Sequence, residues 1–163
     1  MELFLKEIEG ALDNGLYYLA LQSSLTLPDI CGALQSADGK ATGKKYCDWY
    51  DTFAKEPCPL ALNGNDCYYF RCSCLHQGSS RHVKSSYSRI MFLVPNKTII
   101  HNCILNNALC IDINHFCRNI IESVRKWEVN VKETDIFKNN YEKLFKLYPN
   151  GLAPYIVGLP LIS

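Results

Sequence analysis

The chain has 163 residues, of which 48% are hydrophobic and 20% charged, a composition typical of a folded globular protein that excludes intrinsic disorder. Its net charge of +1 conceals an uneven distribution, because residues 67–111 contain five basic residues and no acidic one. No apolar run approaches the roughly 20 residues that cross a membrane. We therefore expect a single domain, residues 1–163, with no membrane partner.

The nine cysteines are an odd number, and no two of them have the C-x-x-C spacing of a zinc site. This pattern predicts free thiols in a reducing compartment, with no metal site and no cofactor. Residues 1–7 lack the basic, apolar and small-residue order of a secretory signal. The sequence therefore favours a cytoplasmic location.

Residues 2–26 carry leucine and isoleucine at spacings of three and four, which predicts a long amphipathic helix. Pro28 predicts the end of this helix and the start of a short second one. The small and polar residues 35–43 indicate a loop. Thr42 or Gly43 is expected to cap a third helix that runs to about Ala54.

The next helix is the one that carries the most informative residues. Asn63 to Asp66 are typical of a helix start, and the helix is predicted to run to Gln77. Gly78 is expected to end it in the left-handed conformation. Residues 79–88 are polar and basic without an apolar period, which predicts an exposed loop.

The second half of the chain begins with two β-rich runs, residues 89–94 and 98–103, which predict a small β-hairpin. A strongly amphipathic helix is expected from Asp112 to Trp127. Another is expected from Thr134 or Asp135 to about Leu147. The residues after it are rich in proline and glycine and predict an extended C-terminal tail. The predicted fold class is mainly α, an up-and-down helical bundle with one small β-hairpin insertion near 89–103.

Arg71 and His76 place a permanent cation and a titratable imidazole near one helix end. Arginine binds phosphate oxygens bidentately, and a histidine that titrates near neutrality can take a proton from a ribose 2′-hydroxyl. The pair therefore predicts metal-independent attack of the 2′-oxygen on the adjacent phosphate, which leaves a cyclic phosphate and a 5′-hydroxyl. We predict that both residues are catalytic. The residues predicted to bind the substrate are Ser73, Arg81, His82, Lys84 and Arg89.

The run Arg71-Cys72-Ser73-Cys74-Leu75-His76, at the end of a helix in a small helical protein, resembles the R-x4-6-H signature of the HEPN superfamily. Residues 67–89 and 151–158 also look similar to uncharacterised bacterial proteins of this size. The HEPN resemblance implies an endoribonuclease acting on RNA in a toxin–antitoxin, defence or stress context. It also implies a homodimer in which two motif helices face each other, and an antitoxin or regulatory protein as a further partner.

One position departs from the HEPN pattern. Active members often carry Asn, Asp or His directly after the arginine, where this chain has Cys72. The alternative interpretation is therefore a non-catalytic HEPN-like module that binds RNA, a nucleotide or a protein through its basic loop. A thiol nucleophile paired with His76, a zinc-dependent site and a purely structural helical protein are further alternatives.

Overall fold

The structure, a computed structural model, describes residues 1–163 and contains six α-helices, which confirms the prediction of a mainly α protein. The helices are α1 Glu2–Asp13, α2 Tyr17–Leu34, α3 Gly43–Trp49 (continued by a π-helix, Tyr50–Ala54), α4 Gly64–Gln77, α5 Ile113–Val131 and α6 Asp135–Tyr141. The strands are β1 Arg89–Leu93, β2 Cys103–Leu105, β3 Ala108–Asp112, β4 Leu147–Tyr148, β5 Gly151–Leu152, β6 Ile156–Val157 and β7 Leu161–Ile162. No helix is both long enough and apolar enough to cross a membrane.

The core is built where α2 and α5 pack against α3. Trp49 and Trp127 are fully buried and meet edge to face, with ring centroids 6.0 Å apart. The indole Nε1 of Trp127 donates a hydrogen bond of 2.7 Å to the side chain of Gln35, so its polar atom is satisfied inside the protein. The apolar period predicted for α5 is confirmed, since its core-facing residues are buried.

The prediction of one helix over residues 2–26 is wrong, because the helix is interrupted between the end of α1 and the start of α2. Gly15 has a φ of 72°, and the amide of Leu16 donates to the carbonyl of Ala11 across the break. Pro28 does not end a helix either, and lies inside α2 as a buried residue. A proline removes one amide donor from a helix, but α2 continues through it, and residues on both sides of Pro28 are buried in the core.

The predicted hairpin between residues 89–94 and 98–103 is also wrong. Strand β1 pairs in parallel with β3, and β2 pairs antiparallel with β3, so the sheet order is β1-β3-β2. The true hairpin joins β2 and β3 through Asn106 and Asn107, whose φ angles of 48° and 62° suit a tight two-residue turn. β3 becomes the central strand because four of its five residues are buried.

The last helix ends earlier than predicted. Helix α6 stops at Tyr141 and not near Leu147, because Lys146 exchanges two backbone hydrogen bonds with Ser163. The rest is an extended tail, as predicted, that folds into two two-stranded ladders, β4 with β7 and β5 with β6.

Both ends of α4 are closed as the sequence predicts. The side chain of Asn63 accepts a hydrogen bond of 2.9 Å from the amide of Asp66, and the amide of Gly78 donates to the carbonyl of Cys74. Gly78 has a φ of 61°, the left-handed conformation of a helix terminator. The caps fix where α4 starts and stops, and therefore where its last turn presents side chains.

Gly64 sets the close approach of α4 to α3. A Cβ at this position would lie 2.6 Å from the carbonyl oxygen of Cys47 and 2.8 Å from a side-chain oxygen of Asp51. The amide of Gly64 donates a hydrogen bond of 2.8 Å to that same aspartate. Only a residue without a side chain allows this contact.

We expect Gly64→Ala to lower the free energy of unfolding by about 1–3 kcal/mol, because the clash is with backbone that cannot move aside. Urea denaturation followed by circular dichroism measures the change. Gly10→Ala in α1 is the matched control, since a Cβ there meets nothing within 4 Å, and it should stabilise the protein by about 0.5–1 kcal/mol. Equal stabilisation by both variants would contradict the packing described for α4.

Candidate functional site

The candidate site is the contact between Arg71 and His76 in the last turns of α4. Atom Nη1 of Arg71 lies 3.2 Å from Nε2 of His76, and His76 is exposed to solvent. The two residues are five positions apart, about 140° around the helix and about 7.5 Å along it. The long arginine side chain spans this offset, so a cation and an imidazole meet at one accessible point.

The contact also fixes the hydrogen-bond role of Nε2 of His76. A guanidinium can only donate hydrogen bonds. Nε2 of His76 is therefore the acceptor in this contact, so its lone pair faces Arg71.

Asp29 of α2 forms an ion pair with the guanidinium of Arg71. Its Oδ2 lies 2.6 Å from Nη2 of Arg71, and the two side chains are 14% and 21% exposed. Burial raises the pKa of the Asp29 carboxyl, although the charge of Arg71 acts in the opposite direction. Burial, the largest single cause, would lower the pKa of Arg71, but the charge of Asp29 together with smaller contributions from Cys72 and Tyr46 makes the net shift upward. The guanidinium of Arg71 therefore lies between the carboxylate of Asp29 and the imidazole of His76.

Ser73, predicted to bind substrate, lies on the buried face of α4. It is fully buried, and Asp66 and Phe70 of the same helix are buried with it. Positions 66, 70 and 73 form one stripe that faces the core. His76 lies about 60° around the helix from Ser73, where the helix surface is exposed to solvent. Ser73 is therefore not placed to contact a substrate.

His82 and Lys84 form a second cluster on α4, around Tyr69. The rings of His82 and Tyr69 are stacked, with centroids 4.8 Å apart and planes 2° from parallel, and Nζ of Lys84 lies 6.0 Å from the tyrosine centroid. Tyr69 and His76 are seven positions apart, about two turns, so they lie on nearly the same line along the helix. Tyr69 therefore lies about 10.5 Å from His76 along the helix axis, and about 3 Å from Arg71.

The predicted loop 79–88 is attached to α4 by a buried acid. Asp66 accepts a hydrogen bond of 2.7 Å from the amide of Ser86, and its other oxygen accepts from Asn63. This anchor brings the basic loop back along the helix. Arg81 and Arg89 are exposed at the two ends of the loop region. Of the predicted substrate-binding residues, only His82 and Lys84 are brought together.

Sequence reasoning missed Asp29 and the aromatic cluster around Tyr69. Asp29 is 42 positions before Arg71 in the chain, and its pairing depends on how α2 packs on α4. From the sequence, Tyr69 is a candidate only to replace the polar residue that HEPN members carry after the arginine, and its stacking on His82 was not predicted. A helical projection of residues 63–77 places Tyr69 on nearly the same line as His76, and this signal was present in the sequence.

Two surface grooves adjoin this region, and the catalytic candidates line neither of them. A groove of about 380 Å³ includes Asp29, and one of about 520 Å³ includes Tyr68, Tyr69 and Lys84. The second groove also carries Asp48 and Asp51, so its walls have both charges. Neither of these two grooves therefore contains the contact between Arg71, whose side chain is largely buried, and the exposed His76.

All nine cysteines are free thiols. Cys31, Cys67 and Cys117 have no accessible surface, as expected for cysteine used as a small apolar residue. Burial raises the pKa of Cys67 to about 12 and that of Cys117 to about 11. These thiols are not nucleophiles. Cys72, beside Arg71, is only partly buried.

In comparisons with protein-family models, with curated proteins and with solved structures, the chain matches none.

We expect iodoacetamide to label Cys58 and Cys72 in the native protein while Cys67 and Cys117 stay unmodified, because the latter two are both inaccessible and protonated. Mass spectrometry of peptides after brief labelling measures this. The same reaction in guanidinium chloride is the control, in which all four should react. Equal native labelling of Cys67 and Cys72 would contradict the described core.

Proposed function

We propose that the protein is a metal-independent endoribonuclease that cleaves RNA at the Arg71–His76 pair. The observation that supports this most is the 3.2 Å contact between the two side chains at an exposed helix end. The residues that the sequence singled out for a joint reaction lie within reach of the same phosphate. The proposal takes its reaction class from the chemistry of these two groups and from the resemblance to the HEPN superfamily.

His76 acts as the general base in this proposal. Its Nε2 lone pair takes the proton of a ribose 2′-hydroxyl, and the 2′-oxygen attacks the adjacent phosphorus. The bond from phosphorus to the 5′-oxygen of the next nucleotide breaks, this oxygen takes a proton from water, and His76 returns its proton to the solvent. The products are a 2′,3′-cyclic phosphate and a 5′-hydroxyl end. DNA lacks the attacking hydroxyl, so it is not a substrate.

Arg71 stabilises the negative charge that builds up on the phosphate oxygens. Its Nη1 is engaged with His76 and its Nη2 with Asp29. An incoming phosphate therefore displaces the contact with His76, which releases both the cation and the imidazole lone pair. Asp29 keeps the guanidinium oriented during this exchange. Its negative charge also weakens phosphate binding, which predicts a modest affinity for the scissile group.

The Tyr69–His82–Lys84 cluster supplies the second part of the substrate contact. Aromatic rings that stack on bases and a nearby cation are the usual components of single-stranded RNA binding. Because the cluster lies on the same side of α4 as His76, one extended strand can contact both. A homodimer through α4, with an antitoxin or other regulator as partner and a cytoplasmic defence role, belongs to the same proposal through the HEPN resemblance.

We expect Arg71→Ala and His76→Ala each to reduce RNA cleavage by at least about 100-fold, because each removes one of the two groups that act on the transition state. The assay uses an unstructured synthetic RNA in the presence of a chelator, with the matching DNA strand as a substrate control. Circular dichroism confirms that the variants are folded.

Arg118→Ala is the matched control for loss of a positive charge. Arg118 is on α5, is 47% exposed and pairs with Asp13 of α1, so its loss should leave cleavage unchanged. Cleavage by both Arg71→Ala and His76→Ala at the wild-type rate would show that any nuclease activity has another source. The same conclusion would follow if the chelator alone abolished cleavage.

A second candidate function is binding of RNA without cleavage, and the stacked Tyr69–His82 pair favours it. In this case Tyr69→Ala should weaken RNA binding by about 1–3 kcal/mol, while His76→Ala should leave it unchanged. Fluorescence anisotropy at two salt concentrations measures both. Tyr18→Ala is the matched control, because Tyr18 is 85% exposed on α2. An equal effect of the two tyrosine substitutions would argue against a binding role for the cluster.

A further inference from the structure

Away from the Arg71–His76 pair, two of the four histidines of the chain meet a single carboxylate. Glu56 follows the π-helix, His101 precedes β2, and His115 lies in the first turn of α5. One ligand atom from each lies within 4.8 Å of the other two. Three segments that are distant in the chain therefore converge at one place on the protein.

The individual distances are close to those of a metal centre. Nε2 of His101 is 2.9 Å from both carboxylate oxygens of Glu56, and Nε2 of His115 is 3.6 Å from one of them. The imidazole centroids are 4.3 Å apart. Ligand atoms around a tetrahedral zinc ion are about 3.3 Å apart. The widest separation in the cluster therefore exceeds this value by only about 1.5 Å.

We propose that Glu56, His101 and His115 bind one divalent transition-metal ion of the zinc class. Two imidazoles and one carboxylate are a donor set that suits such ions. His115 is 58% exposed, whereas Glu56 and His101 are 20% and 15% exposed. The site is therefore open to solvent on the side of His115, and water completes the coordination there.

Without an ion, the same side chains form a hydrogen-bond network. Nδ1 of His101 accepts a hydrogen bond of 3.1 Å from the amide of Asp112, so its proton is on Nε2 and is donated to Glu56. The side-chain amide of Asn102 also donates to Glu56, at 3.1 Å. An ion on Nε2 needs the lone pair of that atom. Binding therefore moves the proton to Nδ1 and breaks the bond from Asp112, which makes the affinity lower than that of a preformed site.

The ion would act on a segment that has no regular structure of its own. Residues 94–102 form neither helix nor strand, and contacts such as those of His101 and Asn102 with Glu56 hold them to the core. A bound ion crosslinks this segment to the end of the π-helix and to the start of α5. This inference goes beyond the proposed RNA cleavage, which needs no metal. Each proposal can therefore be tested independently of the other.

Cobalt(II) titration tests the site, because its absorption spectrum distinguishes nitrogen and oxygen ligands from thiolates. With a reductant that contains no thiol, we expect one ion per chain, weak visible bands and no thiolate charge-transfer band. His115→Ala and Glu56→Gln should each lower the affinity at least about tenfold. Zinc should raise the melting temperature of the wild type and not that of His115→Ala.

His82→Ala and Glu142→Gln are the matched controls, since they change the same residue types outside the cluster, and both should bind cobalt as the wild type does. Because His115 is largely exposed, His115→Ala keeps the test valid even if Glu56→Gln does not fold. A thiolate spectrum, wild-type affinity in His115→Ala, or no binding at submillimolar cobalt would each overturn the proposal.

Discussion

The ion pair between Asp29 and Arg71 decides where the guanidinium points, and the candidate chemistry depends on it. The pair joins α2 to α4 with an N–O distance of 2.6 Å and leaves Nη1 of Arg71 free to meet His76. An arginine without such a partner would sample many rotamers in solvent. Removing a partly buried carboxylate from water costs free energy, and the upward pKa shift of Asp29 shows that this penalty exceeds the attraction of the cation. The ion pair is therefore better explained as a positioning contact than as a source of stability.

The rest of the fold provides a fixed support for this contact. Helix α4 is closed at both ends by side-chain and glycine caps, and Gly64 lets it lie directly against the backbone of α3. Asp66, buried on the core side of the same helix, ties the basic loop to it through Ser86. The side chains on the solvent side of α4 are thus held by interactions on its buried side. The aromatic cluster around Tyr69 and the Arg71–His76 pair are therefore held at a fixed distance from each other on α4.

The features that were predicted correctly are those that depend on residues close together in the sequence. The caps at Thr42, Asn63 and Thr134, the terminator Gly78 and the buried face of α5 depend on residues within one or two turns, and all are confirmed. The predictions failed where the secondary structure depends on packing between residues that are distant in the sequence. Pro28 is accommodated because its surroundings are buried, and β1 pairs with β3 in parallel because the buried residues 108–112 form the central strand. The contact of Arg71 with His76 could be anticipated from their spacing on one helix. Asp29, and the convergence of Glu56 with His101 and His115, could not be anticipated, because no short-range spacing links them.

The chain carries two chemically distinct candidate centres, the Arg71–His76 pair on α4 and the Glu56–His101–His115 cluster. We propose that the first cleaves RNA through the 2′-hydroxyl without a metal, and that the second binds one ion. The most direct measurement for the first centre is end-group analysis of RNA incubated with the wild-type protein in chelator, by mass spectrometry of the fragments. We predict 2′,3′-cyclic phosphate and 5′-hydroxyl ends, and no cut at any position that carries a single 2′-deoxynucleotide. Fragments with 5′-phosphate ends, cleavage on the 3′ side of the 2′-deoxynucleotide, or intact RNA at high protein concentration would contradict this proposal.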